Sequence, residues 1–123
     1  MSKTILVVED QEDNRQILRD LLGANGFEIR EAENGEEALA AVAKQRPDLI
    51  LMDIQLPILD GYETTRRLKS NQHTQGIPII VVTSYALSGD ESKARASGCD
   101  AYVTKPYSPR ALLAKIKEFL PQP

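Results

Sequence analysis

Leu49-Ile50-Leu51-Met52-Asp53 is the stretch that decides the fold. Four apolar residues in succession do not alternate as a half-exposed strand does. They fit a strand covered on both faces, the kind found in parallel sheets layered between helices. The run stops abruptly at a carboxylate. Working outward in both directions, the same pattern recurs: Thr4-Ile5-Leu6-Val7-Val8 ends in Glu9-Asp10, Ile79-Ile80-Val81-Val82 ends in Thr83, and Ala101-Tyr102-Val103-Thr104 ends in Lys105. A fifth segment, Phe27 to Ala32, alternates instead and reads as an edge strand.

Helical periodicity fills the gaps. Ile17, Leu18, Leu21 and Leu22 form an apolar stripe on a helix that Gly23 to Gly26 closes. Asn34 caps a second helix carrying Ala38, Leu39 and Val42, with Glu37 three residues on. Gly61 to Ser70 is weak in pattern but lies where a crossover is required. Ser88 and Glu91 have capping-box spacing for a short helix that Gly98 stops, and Ser108-Pro109 opens a last helix with Leu112, Leu113, Ile116, Phe119 and Leu120. Strands alternating with helices require a parallel sheet with right-handed crossovers. Five strands in this length predict the α/β, doubly wound flavodoxin-like order 2-1-3-4-5, with the site at the carboxyl ends of strands 1 and 3.

The 123 residues predict one domain over 1–123, with 121–123 a short tail and no output domain. Hydrophobic and charged fractions of 41% and 27% are globular values that exclude disorder and coiled coils. A single cysteine cannot form an internal disulfide, which predicts a reducing, cytoplasmic setting. Apolar runs of at most about six residues are too short for membrane insertion, and Met1-Ser2-Lys3-Thr4 opens no signal peptide. The net charge of −3 gives no basic footprint for nucleic acid. Its distribution is uneven: residues 1–63 hold 14 acids against 6 bases, net −8, and residues 64–123 hold 4 against 9, net +5. Either two differently charged surfaces are solvated, or the acids of the first half converge on a cation.

The strand ends favour convergence. Neighbouring strands lie ~4.8 Å apart, so Glu9, Asp10 and Asp53 crowd into one pocket. Like charges so close oppose ionisation unless a cation neutralises them. Lys105 supplies one positive charge; a hard, oxygen-seeking dication, Mg²⁺ above all with Mn²⁺ as an alternative, supplies the rest. Helix N-caps explain one acid per strand end but not three together. A carboxylate beside such an ion and a lysine is suited to attack phosphorus, with the Thr83 hydroxyl on an equatorial oxygen. Asp53, on the central strand, is the candidate nucleophile. Glu9 and Asp10 are candidate metal ligands, with the backbone carbonyl of Gln55 as a further one.

ILVVED (5–10), PDLILMDIQLPILDG (47–61), IPIIVVTS (77–84) and GCDAYVTKPY (98–107) together resemble the receiver domains of two-component response regulators, over essentially the whole chain. The layout is similar to the DivK-like and chemotaxis-like stand-alone receivers. The resemblance implies that Asp53 is the phosphoacceptor, Asp10 the direct Mg²⁺ ligand and Glu9 an acid acting largely through water, with the Gln55 carbonyl completing the metal site. It implies that Thr83 and Tyr102 are the switch pair, that Lys105 contacts the phosphoryl group, and that the Lys105–Pro106 bond is cis. Gln55 and Tyr85 flank phosphoryl access, and their bulk predicts a phosphoryl lifetime of minutes or longer. Glu9 departs from the more common Asp, and Ser84 from the usual Ala or Gly.

By this resemblance the protein is a stand-alone phosphorelay component, not a turnover enzyme. Its expected partners are a sensor histidine kinase or a histidine phosphotransfer protein, and a downstream protein that reads the face made by the fourth helix, fifth strand and fifth helix. Ala101 stands where transcription-factor receivers usually place a salt-bridging Asp, which predicts a monomer or weak dimer. A dehalogenase-type phosphatase is disfavoured because Asp53-Ile54-Gln55 lacks its second acid. A flavodoxin-type carrier is disfavoured because Glu9-Asp10 would repel an unassisted phosphate. Elsewhere, His73 reads as a solvated loop residue, Cys99 as small and partly buried, and Arg66-Arg67-Lys69 as a solvated helix face.

Overall fold

The computed structural model describes residues 2–83 and 88–121. In chain order the elements are β1 (Thr4–Val8), α1 (Glu12–Ala24), β2 (Glu28–Ala32), α2 (Gly35–Lys44), β3 (Leu49–Asp53), α3 (Gly61–Ser70), β4 (Ile79–Thr83), α4 (Ser88–Ala96), β5 (Ala101–Thr104) and α5 (Pro109–Phe119). The sheet is parallel throughout, in the order β2-β1-β3-β4-β5. This is the expected doubly wound order.

Alternation along the inner strands divides the core. Ile5, Val7, Leu49, Leu51 and Ile80 pack against Leu18 and Leu22 of α1 and Leu112, Ile116 and Leu120 of α5. Leu6, Val8, Ile50, Met52, Ile79 and Val81 face the other way, onto Ala38 and Val42 of α2 and Leu68 of α3. Because β1, β3 and β4 carry unbroken apolar runs at Ile5–Val8, Leu49–Met52 and Ile79–Val82, each serves both layers. The residues that end those runs, Glu9, Asp53 and Thr83, are polar and gather at the carboxyl edge.

Side-chain caps start three helices. Asn34, Asp60 and Ser108 accept hydrogen bonds from the backbone N–H groups of Glu37, Glu63 and Ala111 at 2.8, 2.8 and 3.0 Å. The Ser88–Glu91 capping spacing involves side chains outside the described residues. Gly26 and Gly98 adopt φ of 88° and 87°, turning the chain out of α1 and α4 as only glycine does readily. The Lys105–Pro106 peptide is cis.

Three expectations are corrected. Ile17 does not join the stripe of α1: it is 60% exposed, because the face toward the sheet is made by Leu18 and Leu22, four residues apart, flanked by Leu21. β5 is not covered on both faces; as an outer strand it is half-buried along its length. Lys69 is not part of a solvated face. Its ammonium lies 2.7 Å from Asp100 and donates to the carbonyls of Gln75 and Ile77, pinning the end of α3 beneath β4. No described helix is long and apolar enough to cross a membrane.

Candidate functional site

The register β1–β3, with Val8 opposite Met52, carries Glu9 alongside Asp53. One carboxylate oxygen from each of Glu9, Asp10 and Asp53 lies within 4.8 Å of the others. Glu9 and Asp53 are buried, at 4% and 5% exposure, whereas Asp10 is half-buried. Lys105 reaches in from the end of β5, placing its ammonium 3.0 Å from Asp53 Oδ2 and 3.7 Å from Glu9 Oε1. The other oxygens are held too. Asp53 Oδ1 accepts from the Gln55 N–H at 3.0 Å, and the Glu9 carboxylate accepts from the Gln11 N–H at 3.0 Å and the Asn14 amide at 3.3 Å.

Burial, and then the nearby Asp53 carboxylate, push the Glu9 carboxyl up to about 7. Burial pulls the Lys105 ammonium down, but its hydrogen bond to Asp53 and the charges of Asp53 and Glu9 outweigh that and hold it above the usual lysine range. Tyr107, half-buried beyond the cis bond, is raised by burial although Lys105 opposes the shift. Three carboxylates against one ammonium leave excess negative charge in a pocket largely closed to water. A donor set made only of oxygens, short of one or two positive charges, fits a small hard dication.

Gly61 brings α3 against the back of this pocket. A side-chain carbon there would lie 2.1 Å from the Asp53 carbonyl oxygen, and its own N–H donates to Ile54 at 3.1 Å. Thr83 is buried at 4% exposure, one residue past Val82, which pairs with Asp53. Tyr102 is half-buried on β5 opposite Val81 and packs toward the α2 and α3 layer. Strand alternation puts Thr83 on that same side with Val81, whereas Glu9, Asp53 and Lys105 share the α1 and α5 side with Val7, Leu51 and Val103. Gln55 is exposed just beyond Asp53. Tyr85, and Ser84 before it, lie outside the described residues.

The sequence reading did not single out Arg15. Its side chain is buried and donates to the Glu9 carbonyl at 2.8 Å. A basic residue six positions past Glu9 is a visible signal, but its burial depends on carboxylates that arrive from the end of β2.

Residues 5–117 match the response regulator receiver domain family. The chain is 46% identical to the polar-differentiation response regulator DivK of Brucella anthropi, over 98% of each protein. It superimposes at a TM-score of 0.91 on the receiver domain of a sensor histidine kinase from Pseudomonas aeruginosa, 31% identical and matched over 99% of this chain and all of the other; that structure is described with a magnesium ion coordinated in its active-site cleft. A CheY-like receiver domain protein from Methanospirillum hungatei, 34% identical, gives a TM-score of 0.90 over 98% and 94% of the two chains. An acidic trio at the rim of a 2-1-3-4-5 sheet, a lysine salt-bridged to its central aspartate, and a match along nearly the whole sequence lead to one conclusion: this chain belongs to the response regulator receiver domain family, whose general role is phosphorylation-based two-component signalling.

Proposed function

We propose that this chain is a stand-alone phosphorelay response regulator in the cytoplasm. It accepts a phosphoryl group on Asp53 from the phosphohistidine of a sensor kinase or histidine phosphotransfer protein. The observation that carries the reading is the buried Glu9–Asp53 pair, with Asp10 beside it and Lys105 at 3.0 Å from the nucleophile. In the transfer, a carboxylate oxygen of Asp53 forms the new P–O bond as the donor's P–N bond breaks, and the freed histidine takes a proton. Glu9, Asp10, Asp53 and the Gln55 carbonyl would hold Mg²⁺ or Mn²⁺, which when bound neutralises charge on the phosphoryl oxygens. Lys105 balances charge on the same group while the Gln55 N–H fixes the orientation of the acceptor carboxylate. The chain returns to its starting state by hydrolysis of its own phosphoryl group, so it is not a turnover enzyme on outside substrates. Gln55 and Tyr85 slow that hydrolysis to minutes or longer by limiting the access of water.

The signal leaves through the α4-β5-α5 face. A phosphoryl group on Asp53 adds acceptor oxygens that draw the Thr83 hydroxyl, and Tyr102, on the same side of the sheet, turns into the vacated space. A groove of about 540 Å³ lined by Arg95, Cys99, Tyr102 and Lys115 lies on this face and changes with Tyr102. A protein partner of the monomer or weak dimer reads that change. Incubation with acetyl phosphate and Mg²⁺ followed by intact-mass measurement tests the reading. The wild type gains one phosphoryl group, Asp53→Asn gains none, and EDTA abolishes the gain; labelling of Asp53→Asn, or labelling without a divalent ion, overturns it.

A further inference from the structure

Arg15 lies one turn into α1 with its side chain 9% exposed. A guanidinium that cannot be neutralised is costly there unless every direction of its fork is met. One nitrogen donates to the Glu9 carbonyl at 2.8 Å. The others meet Glu12 at 2.5 Å, Glu31 at 3.2 Å and Glu33 at 3.6 Å. The carbonyl that Arg15 holds belongs to the peptide joining Glu9 to Asp10, so rotation of that peptide would swing both carboxylates. We infer that Arg15 is a positioning residue for the metal site: by clamping the Glu9–Asp10 peptide it fixes the direction in which both acids face Asp53. This rests on the metal reading proposed above.

The neighbouring Arg19 supplies the comparison. It binds the same Glu31 at 2.8 Å and the same Glu12 at 3.1 Å, tying α1 to β2, but its hydrogen bonds do not reach Glu9. If the network only held the helix to the strand, the two arginines would be equivalent toward the metal. Electrostatics adds a second distinction. Removing a positive charge near an acidic pocket by itself tightens a dication, so weaker binding after loss of Arg15 isolates positioning.

The test is Mg²⁺ titration by calorimetry at one pH on wild type, Arg15→Met and Arg19→Met, with urea unfolding of each in EDTA. Both variants lose stability, but only Arg15→Met loses Mg²⁺ affinity, by tenfold or more, in the range seen when a partner that orients a metal ligand is removed. Equal Mg²⁺ dissociation constants for Arg15→Met and wild type overturn the inference, as does an equal loss in Arg19→Met. Should Arg15→Met fail to fold, Arg15→Lys carries the test: it keeps the charge but not the fork. A threefold or greater loss supports the clamp and an unchanged affinity overturns it. A wild type that takes up no Mg²⁺ fails at the metal reading itself, which separates the two failures.

Discussion

Glu9, closed off from water beside Asp53, keeps its proton up to about pH 7 when no metal is present. Because its folded value lies above the unfolded 4.5, the folded state binds more protons than the unfolded one between those two pH values. Stability from this group is therefore full below about pH 4.5 and is lost as pH rises to about 7. Glu9→Gln removes the dependence, so its advantage over wild type in EDTA grows across that window by on the order of 2 kcal/mol, measurable by urea unfolding. On the proposed metal reading, binding would expel the proton, and the Mg²⁺ affinity of the wild type, measured by calorimetry, should fall about thirtyfold from pH 8 to pH 5.5. At this scale the acids and Lys105 were legible because each interrupts an apolar run. Arg15, Asn14 and the Gln11 and Gln55 amides were not, since their roles depend on side chains and backbone brought together only by the fold.

Among the elements, α3 had the faintest pattern, and close approach rather than an apolar stripe holds it in place. Gly61 sits against the Asp53 carbonyl with no room for a side chain. Gly61→Ala forces strand end and helix apart; it should cost about 3 kcal/mol in urea unfolding and slow phosphorylation by acetyl phosphate. The loop before it has the opposite problem. Ile58 is 74% exposed at φ 71°, a conformation β-branched residues resist. Ile58→Gly should raise stability by about 1 kcal/mol, read as a higher urea midpoint at unchanged slope. The strands and the Asn34 and Ser108 caps were legible from local chemistry alone. The Asp60 cap was missed because it lies in a loop whose apolar residues hide the boundary, and Lys69 was misread because its partner Asp100 is distant in sequence.

The whole molecule is two apolar layers sharing one sheet. Ile50 belongs to the α2 and α3 layer and Leu112 to the α1 and α5 layer, and neither is exposed. Each replaced by alanine should lose about 3–4 kcal/mol. Since β1, β3 and β4 contribute to both layers, far-UV circular dichroism and tyrosine fluorescence should report one coincident transition in either variant; separate transitions would mean that the layers melt independently. The fold class was legible because fully apolar strands occur only where both faces are covered, and order 2-1-3-4-5 then places the acids together. The wetting of β5 was not: its run reads as covered on both faces although the predicted order already puts it at the sheet's edge, and how far a helix covers an edge strand is decided only by packing.

The direction of the strands has a practical consequence. β1 starts at the sheet's amino edge with Thr4, and α5 descends from Ser108 so that Leu120 packs beside Ile5, Phe27 and Leu49 near that same edge. A fluorophore or affinity handle attached at the exposed Lys3 or Pro121 is therefore expected at the amino edge, about one strand length from Glu9 and Asp53, leaving the opposite rim uncovered.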